Sequence, residues 1–399
     1  MSVRKGRVIA DVVTVALVAV LGFGALNASK PVQGVKPQIS TLATRSASEN
    51  ITWPAQGYAA VGATGYGVLA AKGDQTPRPI ASISKLITAL TVLKQQPLKL
   101  GEPGSTYTIT DADVARFNDY LAKGGTVVPV TVGEQITKYQ TLQAMLLPSA
   151  NNMADSLAVW TFGSMEDYHV AANAVVRQLG MTHTTVGGDA SGLSPATIST
   201  PADLVVLGEA VLAQPVLAQI VGQTTADLPV AGTVKNSNAL LGSNGVVGIK
   251  TGTSDEAGGC LLSAAQYELA TGKTITVIAA IIGAPNRPTA FAATPQLLSS
   301  TSDNFTYDTP VRAGEIIGTY NLPWGGSVTA VAKKTVSFVR WNGVALSTTA
   351  KLDKINRGLQ KGAKLGTVTI KSGDTTYATD VITKDAAPTP PIWWRAVRH

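Results

Sequence analysis

A serine and a lysine three positions apart are the first residues in this chain that could do acyl-transfer chemistry. Ser82 and Lys85 stand where an apolar run begins that predicts a helix, and residues at this spacing share one helix face. A hydroxyl nucleophile would therefore lie beside an amine that could accept its proton. A helix-capping serine and a surface lysine give the same pattern, so the pair needs supporting motifs.

Two further short motifs supply that support. Ser149-Ala150-Asn151 is predicted to lie in a loop between two helices, and Lys250-Thr251-Gly252 falls in a run, Val246 to Thr253, that predicts a strand. Ser-x-x-Lys, a second serine motif and Lys-Thr-Gly occur together in enzymes that form acyl-serine intermediates. All three in order, in helix, loop and strand contexts, form a far more specific signal than any one of them.

With these motifs the chain resembles the penicillin-recognising serine hydrolases, most closely the low-molecular-weight D-alanyl-D-alanine carboxypeptidases of peptidase family S11. The resemblance covers roughly residues 55 to 300 and includes the segments Leu179-Gly180-Met181-Thr182, Asn236-Ser237-Asn238 and Gly283-Ala284-Pro285-Asn286-Arg287. It implies an α+β, penicillin-binding-protein/β-lactamase-like transpeptidase fold, in which an antiparallel sheet carries helices on its faces. A small C-terminal β-rich domain is also implied, and the strand-like runs after residue 306 agree with it.

The resemblance also implies a catalytic role for three residues. Ser82 would attack the peptide carbonyl between two D-alanines and form an acyl-enzyme. Lys85, kept neutral by burial and positive neighbours, would take the proton of Ser82. Ser149 would pass that proton to the leaving amine. Ser84 lies two positions after Ser82 and therefore off the face that Ser82 shares with Lys85.

A second group of residues is implied to bind substrate. Asn151 would hold Lys85 and the substrate amide, while Lys250, Thr251, Gly252 and Thr253 would receive the terminal carboxylate. The backbone amides of Ser82 and Thr253 would form the oxyanion hole. No cofactor and no metal are implied. The expected substrate is a peptidoglycan stem pentapeptide, with β-lactam antibiotics as covalent inhibitors.

Other functions of the same fold stay open. A β-lactamase of class A needs a glutamate on a loop between the second and third motifs, whereas Glu166 and Glu209 are both predicted within helices. A DD-endopeptidase would use the same motifs on another peptide bond. A non-catalytic penicillin-sensing or wall-binding protein is the alternative of another class.

Composition limits the remaining possibilities. The chain has 399 residues and a net charge of +7, and residues 307 to 399 carry 13 basic and six acidic residues. This basic region predicts an anionic neighbour such as lipid headgroups or wall polymers, while the sequence contains no nucleic-acid recognition motif. One cysteine, Cys260, and the scattered His169, His183 and His399 predict neither an internal disulfide nor a metal site.

The N-terminus predicts a membrane-directed segment. Arg4, Lys5 and Arg7 precede an uncharged apolar run, Val12 to Leu26, which is the pattern of a signal anchor or signal peptide. We therefore predict an extracytoplasmic enzyme, held at the bacterial membrane or secreted to the wall after cleavage. The expected organisation is an anchor or signal at 1–30, a linker at 31–52, a catalytic domain at 53–306, a β-rich domain at 307–386 and a tail at 387–399.

Overall fold

The structure, a computed structural model, describes residues 2–269 and 272–398, with side chains from residue 8 onward. Two compact units are present. One runs from Asn50 to Phe305, and the other combines the chain up to Glu49 with the chain from Thr306 on. Each unit has its own hydrophobic core. His399 lies outside the described residues.

The N-terminal helix α1, Ser2–Ser29, has the length and composition of a membrane span. Its segment Val8–Ser29 has 22 residues, and the most apolar 18-residue window of this segment has a mean hydropathy of 2.3 and is not buried. About 20 apolar residues suffice to cross the hydrocarbon core of a bilayer. An anchor and a signal sequence both fit this helix.

The segment after α1 differs from the expected linker. Two short strands, β1 (Gln38–Ile39) and β2 (Thr44–Arg45), pair with strands of the C-terminal unit, where Ile39 lies opposite Gly318 and Arg45 opposite Leu346. Strands of two residues are too short to show a sequence period. Their partners also lie far along the chain, so the sequence alone predicted an unstructured tether.

The unit from Asn50 to Phe305 contains strands and helices in mixed order. Its strands are β3 (Tyr58–Ala63), β4 (Gly67–Lys72), β5 (Arg78–Pro79), β6 (Thr106–Thr108), β7 (Gln135–Thr137), β8 (Ile198–Ser199), β9 (Thr225–Leu228), β10 (Gly232–Lys235), β11 (Val246–Ser254), β12 (Gly258–Glu268) and β13 (Thr274–Ala284). Its helices are α2 (Ser84–Gln95), α3 (Asp111–Ala122), α4 (Lys138–Leu146), α5 (Asn151–Phe162), α6 (Met165–Gln178), α7 (Pro201–Ala213), α8 (Pro215–Val221) and α9 (Arg287–Ser302), and a 3-10 turn, Ala81–Ile83, precedes α2.

Five of these strands form an antiparallel sheet in the order β11-β12-β13-β3-β4. Helix α9 packs on β12 and β13, and α7 packs on β3 and β13. The central strands are buried along most of their length, as expected for a sheet that is covered on both faces. An antiparallel sheet with helices packed on it confirms the predicted α+β fold.

Helix α2 is the buried helix of this unit. Leu86, Ile87 and Val92 are fully buried, and α4, α5 and α6 pack around α2. A helix that is apolar on several sides belongs in the interior. The sequence predicted α2 but not α3, because α3 is mostly polar and buries only Asp113 and Tyr120.

The C-terminal part of the chain is rich in strands. They are β14 (Phe305–Val311), β15 (Ile316–Asn321), β16 (Ser327–Ala332), β17 (Val336–Trp341), β18 (Leu346–Leu352), β19 (Lys364–Ser372) and β20 (Thr375–Thr383), followed by the short helix α10 (Ile392–Val397). A seven-stranded sheet has the order β1-β15-β16-β20-β19-β18-β2, and β14 pairs with β17. The predicted C-terminal β-rich domain is therefore present.

Candidate active site

Lys85 is the centre of a buried hydrogen-bond network. Its Nζ donates to Ser82 Oγ over 2.7 Å, to Asn151 Oδ1 over 2.7 Å and to the backbone carbonyl of Ser191 over 2.9 Å. Three acceptors match the three donors of a lysine ammonium. Since the side chain is fully buried, its position is set by these three contacts.

The protonation of Lys85 depends on opposing effects. Burial lowers its pKa to about 7, while the negative charges of Asp189 and Asp155 act in the opposite direction. A buried amine loses hydration when it is charged, which favours the neutral form. A lysine with a pKa near neutrality can both accept and return a proton under ordinary conditions.

The carbonyl that holds Lys85 belongs to a tightly bonded loop, residues 189–194. The carboxylate of Asp189 accepts hydrogen bonds from the backbone amides of Ser191, Gly192, Leu193 and Ser194, and from the Ser191 hydroxyl. Such side-chain-to-backbone bonds satisfy amides that no regular element pairs. This loop therefore forms a rigid wall beside Lys85.

Asp155 ties this loop to helix α5. Its Oδ1 accepts from the Ala190 amide over 2.8 Å, and its Oδ2 accepts from the Tyr120 hydroxyl over 2.6 Å. Burial is the main cause that raises the pKa of Asp155. Asp155 follows Asn151 by four residues, so both side chains lie on the same face of α5, the face on the side of Lys85.

Ser82 is the partly exposed member of the network. It lies in the 3-10 turn before α2, whereas Ser84 is fully buried and donates to the Ala81 carbonyl over 2.9 Å. Gly192 packs against this turn. A Cβ at position 192 would lie 2.1 Å from Ser84 Oγ and 2.2 Å from Ala81 O, so only glycine allows the loop to approach.

The second motif spans the start of α5. Ser149 has a positive φ of 73°, and Asn151 is the first helical residue, whereas the sequence had placed the whole motif in a loop. The difference follows from Ala150, which acts as the N-cap although alanine is a poor capping residue. The Ser149 hydroxyl makes no hydrogen bond within the described chain.

Strand β11 carries the third motif. Lys250 and Thr251 are buried, while Thr253 is exposed. The Thr251 hydroxyl is 2.9 Å from Ser237 Oγ, and Lys250 Nζ donates to the Thr251 carbonyl over 3.2 Å. Burial, followed by the positive charges of Lys85 and Arg287, holds the pKa of Lys250 well below its usual range.

Gly252 brings β11 against the turn that carries Ser82. A Cβ there would lie 3.0 Å from Ile80 O and 3.3 Å from the Ala81 Cβ. Close approach of two backbones is a common reason for glycine within a strand. The structure thus joins Ser82, Lys85 and Asn151 by direct bonds and sets β11 beside the turn of Ser82.

The sequence assigned no role to four residues around this network: Tyr120, Asp155, Ser191 and Ser237. Ser237 lies in the Asn236-Ser237-Asn238 segment of the family resemblance, and Asp155 lies four residues after Asn151 on a predicted helix, so these two had a readable signal. Arg287, at the start of α9, is exposed. In the part of the chain that the structure describes, no group of three or more His, Cys, Asp or Glu side chains could hold a metal ion.

Comparison with known proteins decides the family. The family model of D-alanyl-D-alanine carboxypeptidase, peptidase S11, matches residues 43–286. The chain belongs to this family. The match includes all three motifs and agrees with the resemblance that the sequence predicted.

Relatives of this S11 member are named either carboxypeptidases or endopeptidases. The chain is 30% identical over 296 residues to a D-alanyl-D-alanine carboxypeptidase of Streptomyces sp. strain K15, covering 69% of this chain and 92% of that protein. It is 32% identical over 204 residues to a D-alanyl-D-alanine endopeptidase of Pseudomonas aeruginosa, covering 49% and 62%. A peptidoglycan synthesis regulatory factor from Streptococcus pneumoniae shares the fold, with a TM-score of 0.61 at 21% identity over 83% of this chain and 99% of that chain.

Proposed function

We propose that this S11 member is a serine-type D-Ala-D-Ala carboxypeptidase that removes the terminal D-alanine from peptidoglycan stem pentapeptides through an acyl-enzyme. The observation that carries the proposal is the 2.7 Å contact between Lys85 Nζ and Ser82 Oγ. The contact supports the proposal because a lysine of lowered pKa lies beside a serine hydroxyl that is still partly exposed. These are the requirements for activating a serine without histidine.

In the proposed acylation step, Ser82 Oγ attacks the carbonyl of the penultimate D-alanine while its proton moves to Lys85. The backbone amides of Ser82 and Thr253 bind the developing oxyanion. Ser149 delivers the proton to the amine of the leaving D-alanine, and the C–N bond breaks. Water then attacks the acyl-enzyme and releases the shortened peptide, so that Ser82 regains its proton.

Substrate recognition is assigned to Asn151 and to strand β11. Asn151 orients Lys85 through its Oδ1 and binds the substrate amide. Lys250 and the hydroxyls of Thr251 and Thr253 bind the terminal carboxylate, with Gly252 allowing β11 to lie beside the substrate. β-Lactams, which also present a carbonyl and a carboxylate, would acylate Ser82 covalently.

A β-lactamase is less well supported by the geometry. The Glu209 carboxylate accepts a hydrogen bond from the backbone amide of Gly65 in the turn between β3 and β4. Glu166 is exposed in the first turn of α6. Neither carboxylate contacts the Lys85 network, so neither is placed to activate a deacylating water. The endopeptidase alternative rests on the shared motifs and on relatives of that name.

We place the enzyme on the extracytoplasmic side of the bacterial membrane. Helix α1 supports this placement, because its exposed apolar surface is suited to lipid, and the family acts on peptidoglycan peptides. The cluster Arg4, Lys5 and Arg7 would remain inside the cell. We expect the protein in the membrane fraction, with its folded units protected from a protease added on the cytoplasmic side and cleaved by a protease added on the outer side. The opposite pattern of protection would contradict this topology.

One assay separates the candidate activities. The full chain is incubated with a soluble stem pentapeptide that ends in D-Ala-D-Ala, with a cross-linked muropeptide dimer and with a chromogenic cephalosporin. Release of D-alanine from the pentapeptide, absent in Ser82→Ala, is the expected result. Cleavage of the dimer alone would favour the endopeptidase, and rapid turnover of the cephalosporin would favour the β-lactamase.

A further inference from the structure

The last helix of the described chain, α10, meets the last turns of α1. Helix α10 packs against α1, and Asn27, which is buried, donates to the carbonyls of Ala396 and Arg398. The Arg398 guanidinium in turn donates to the carbonyls of Asn27 and Lys30. These hydrogen bonds fix α10 to the C-terminal end of α1.

This contact determines the depth of α10 relative to a membrane that α1 spans. The apolar stretch of α1 extends to Leu26, and a Cβ on Gly24 would lie 3.6 Å from the Ala396 Cβ. Helix α10 is therefore level with the end of the hydrophobic stretch. That level is the boundary between acyl chains and headgroups, where tryptophan and tyrosine side chains are enriched in membrane proteins.

The side chains of α10 divide between two environments. Trp394 packs edge-on against Trp324, with ring centroids 5.4 Å apart. By contrast, Ile392, Trp393 and Val397 are 76%, 66% and 65% exposed. Large apolar side chains that stand out beside an apolar helix of membrane type mark a surface that continues the lipid-facing surface of α1.

A cavity of about 390 Å³ lies beneath this helix. It is lined by Asn27, Lys30, Pro31, Gln33, Pro323, Trp324, Trp394 and Arg398. Its lining includes two cations and no carboxylate. Among the described residues, Lys30 and Arg398 donate to oxygens of uncharged groups, namely the Asn27 side chain and the carbonyls of Asn27 and Lys30. Arg398 also lies over the Trp394 ring, and no described carboxylate forms an ion pair with either cation. The volume lies within the usual range for small-molecule sites.

We propose that this cavity binds the headgroup of an anionic phospholipid while Ile392, Trp393 and Val397 enter the acyl boundary. The inference rests on the proposed membrane insertion of α1. The phosphate of a lipid such as phosphatidylglycerol would face Lys30 and Arg398, and its glycerol would lie against Trp324 and Trp394. The chain would then hold the membrane at two points, with the C-terminal β-rich domain fixed at the lipid surface.

The test uses full-length protein in nanodiscs of phosphatidylcholine with an increasing fraction of phosphatidylglycerol. Val397→Cys is labelled with an environment-sensitive fluorophore, and the native Cys260 is fully buried, which directs the label to position 397. A matched probe at Asp374→Cys sits in the exposed turn between β19 and β20. We expect a saturable blue shift at position 397 as phosphatidylglycerol rises and no shift at position 374.

Charge variants test the headgroup site itself. Lys30→Gln with Arg398→Gln should raise the phosphatidylglycerol fraction needed for half-saturation about tenfold or more, since each basic residue contributes substantially at an anionic surface. Lys334→Gln with Lys371→Gln removes two exposed charges elsewhere on the same unit and should have little effect. Lys30→Gln alone keeps the Arg398 bonds and serves if the double variant does not fold.

Three results would overturn the proposal. They are an equal shift in pure phosphatidylcholine, an equal loss in the Lys334/Lys371 control, and reproduction of the shift by soluble glycerol phosphate, which would assign the cavity to a free phosphate. Failure of α1 to insert is distinguishable from all three, because no protein would then co-elute with the discs.

Discussion

The amine of Lys85 donates to Asn151 Oδ1 over 2.7 Å and so joins the first turn of α2 to the first residue of α5. One residue belongs to the first sequence motif and the other to the second, and they are 66 positions apart. The fold therefore brings the two motifs into a single buried network. Loss of either partner should affect the reactivity of Ser82, which shares Lys85.

Asn151→Ala should slow acylation of Ser82 by about 10- to 100-fold. Lys85 becomes charged as it takes the proton of Ser82, and a buried hydrogen bond to a charged group contributes about 1.5–3 kcal/mol. The control is Asn152→Ala. Among the described residues, the Asn152 side chain forms hydrogen bonds with the Val128 backbone and not with Lys85. This variant should lower the melting temperature without a comparable loss of acylation rate. Stopped-flow acylation by a fluorescent penicillin measures both; equal rates for the two variants would contradict the role of Asn151.

Asp155→Asn should move the pH dependence of acylation. Acylation requires neutral Lys85, so the rate should rise with pH through about 7, the pKa that burial gives this lysine. The charge of Asp155 opposes that effect, together with Asp189. Asparagine can still accept from the Ala190 amide but lacks the charge, so the pKa of Lys85 should fall and the rise should shift to lower pH.

Tyr120→Phe is the matched control for this shift. It removes the hydroxyl that donates to Asp155 and leaves the carboxylate in place beside Lys85. We expect lower stability with a pH profile close to that of the wild type. An Asp155→Asn profile that coincides with the wild-type profile would show that Asp155 does not influence the protonation of Lys85.

Gly192→Ala should inactivate the enzyme by displacing the turn of Ser82. The added Cβ would overlap Ser84 Oγ and Ala81 O, and Gly192 also has a φ of +77°. Overpacking and a left-handed backbone each cost about 1–3 kcal/mol. Gly180→Ala has a similar φ of +78° with no atom within 4 Å, so it should lose stability only through backbone strain and retain acylation. Inactivation by both variants would contradict the contact.

Asp308→Asn should destabilise the C-terminal β-rich domain. Asp308 Oδ2 accepts from Arg340 Nε over 2.5 Å, and the two side chains are 12% and 7% exposed. Breaking a buried pair leaves an uncompensated charge and costs about 3–5 kcal/mol. Asp380→Asn, which removes an exposed partner of Lys364, should change little. Scanning calorimetry of both variants checks this, and equal transitions would contradict a structural role for the buried pair.

The sequence predicted the parts of the fold and site that depend on local patterns. The spacing of Ser82 and Lys85, the apolar run of α2 and the strand of Lys250 can all be read from neighbouring residues. Tyr120 joins the network through its hydroxyl, which donates to Asp155, and Ser191 joins it through its backbone carbonyl, which accepts from Lys85. Both contacts form only after long-range folding. No local period marks such residues, and the same holds for β1 and β2, whose partners lie at the other end of the chain.

The covalent adduct on Ser82 is the most direct test of the proposed function. The full chain, Ser82→Ala and Ser84→Ala are incubated with a fluorescent penicillin and analysed by intact mass and peptide mapping. We expect a single acyl adduct on Ser82 in the wild type, none in Ser82→Ala and a reduced but detectable adduct in Ser84→Ala, because the Ser84 hydroxyl donates to the Ala81 carbonyl. An adduct that persists in Ser82→Ala, or no adduct in the folded wild type, would contradict the role of Ser82 as nucleophile.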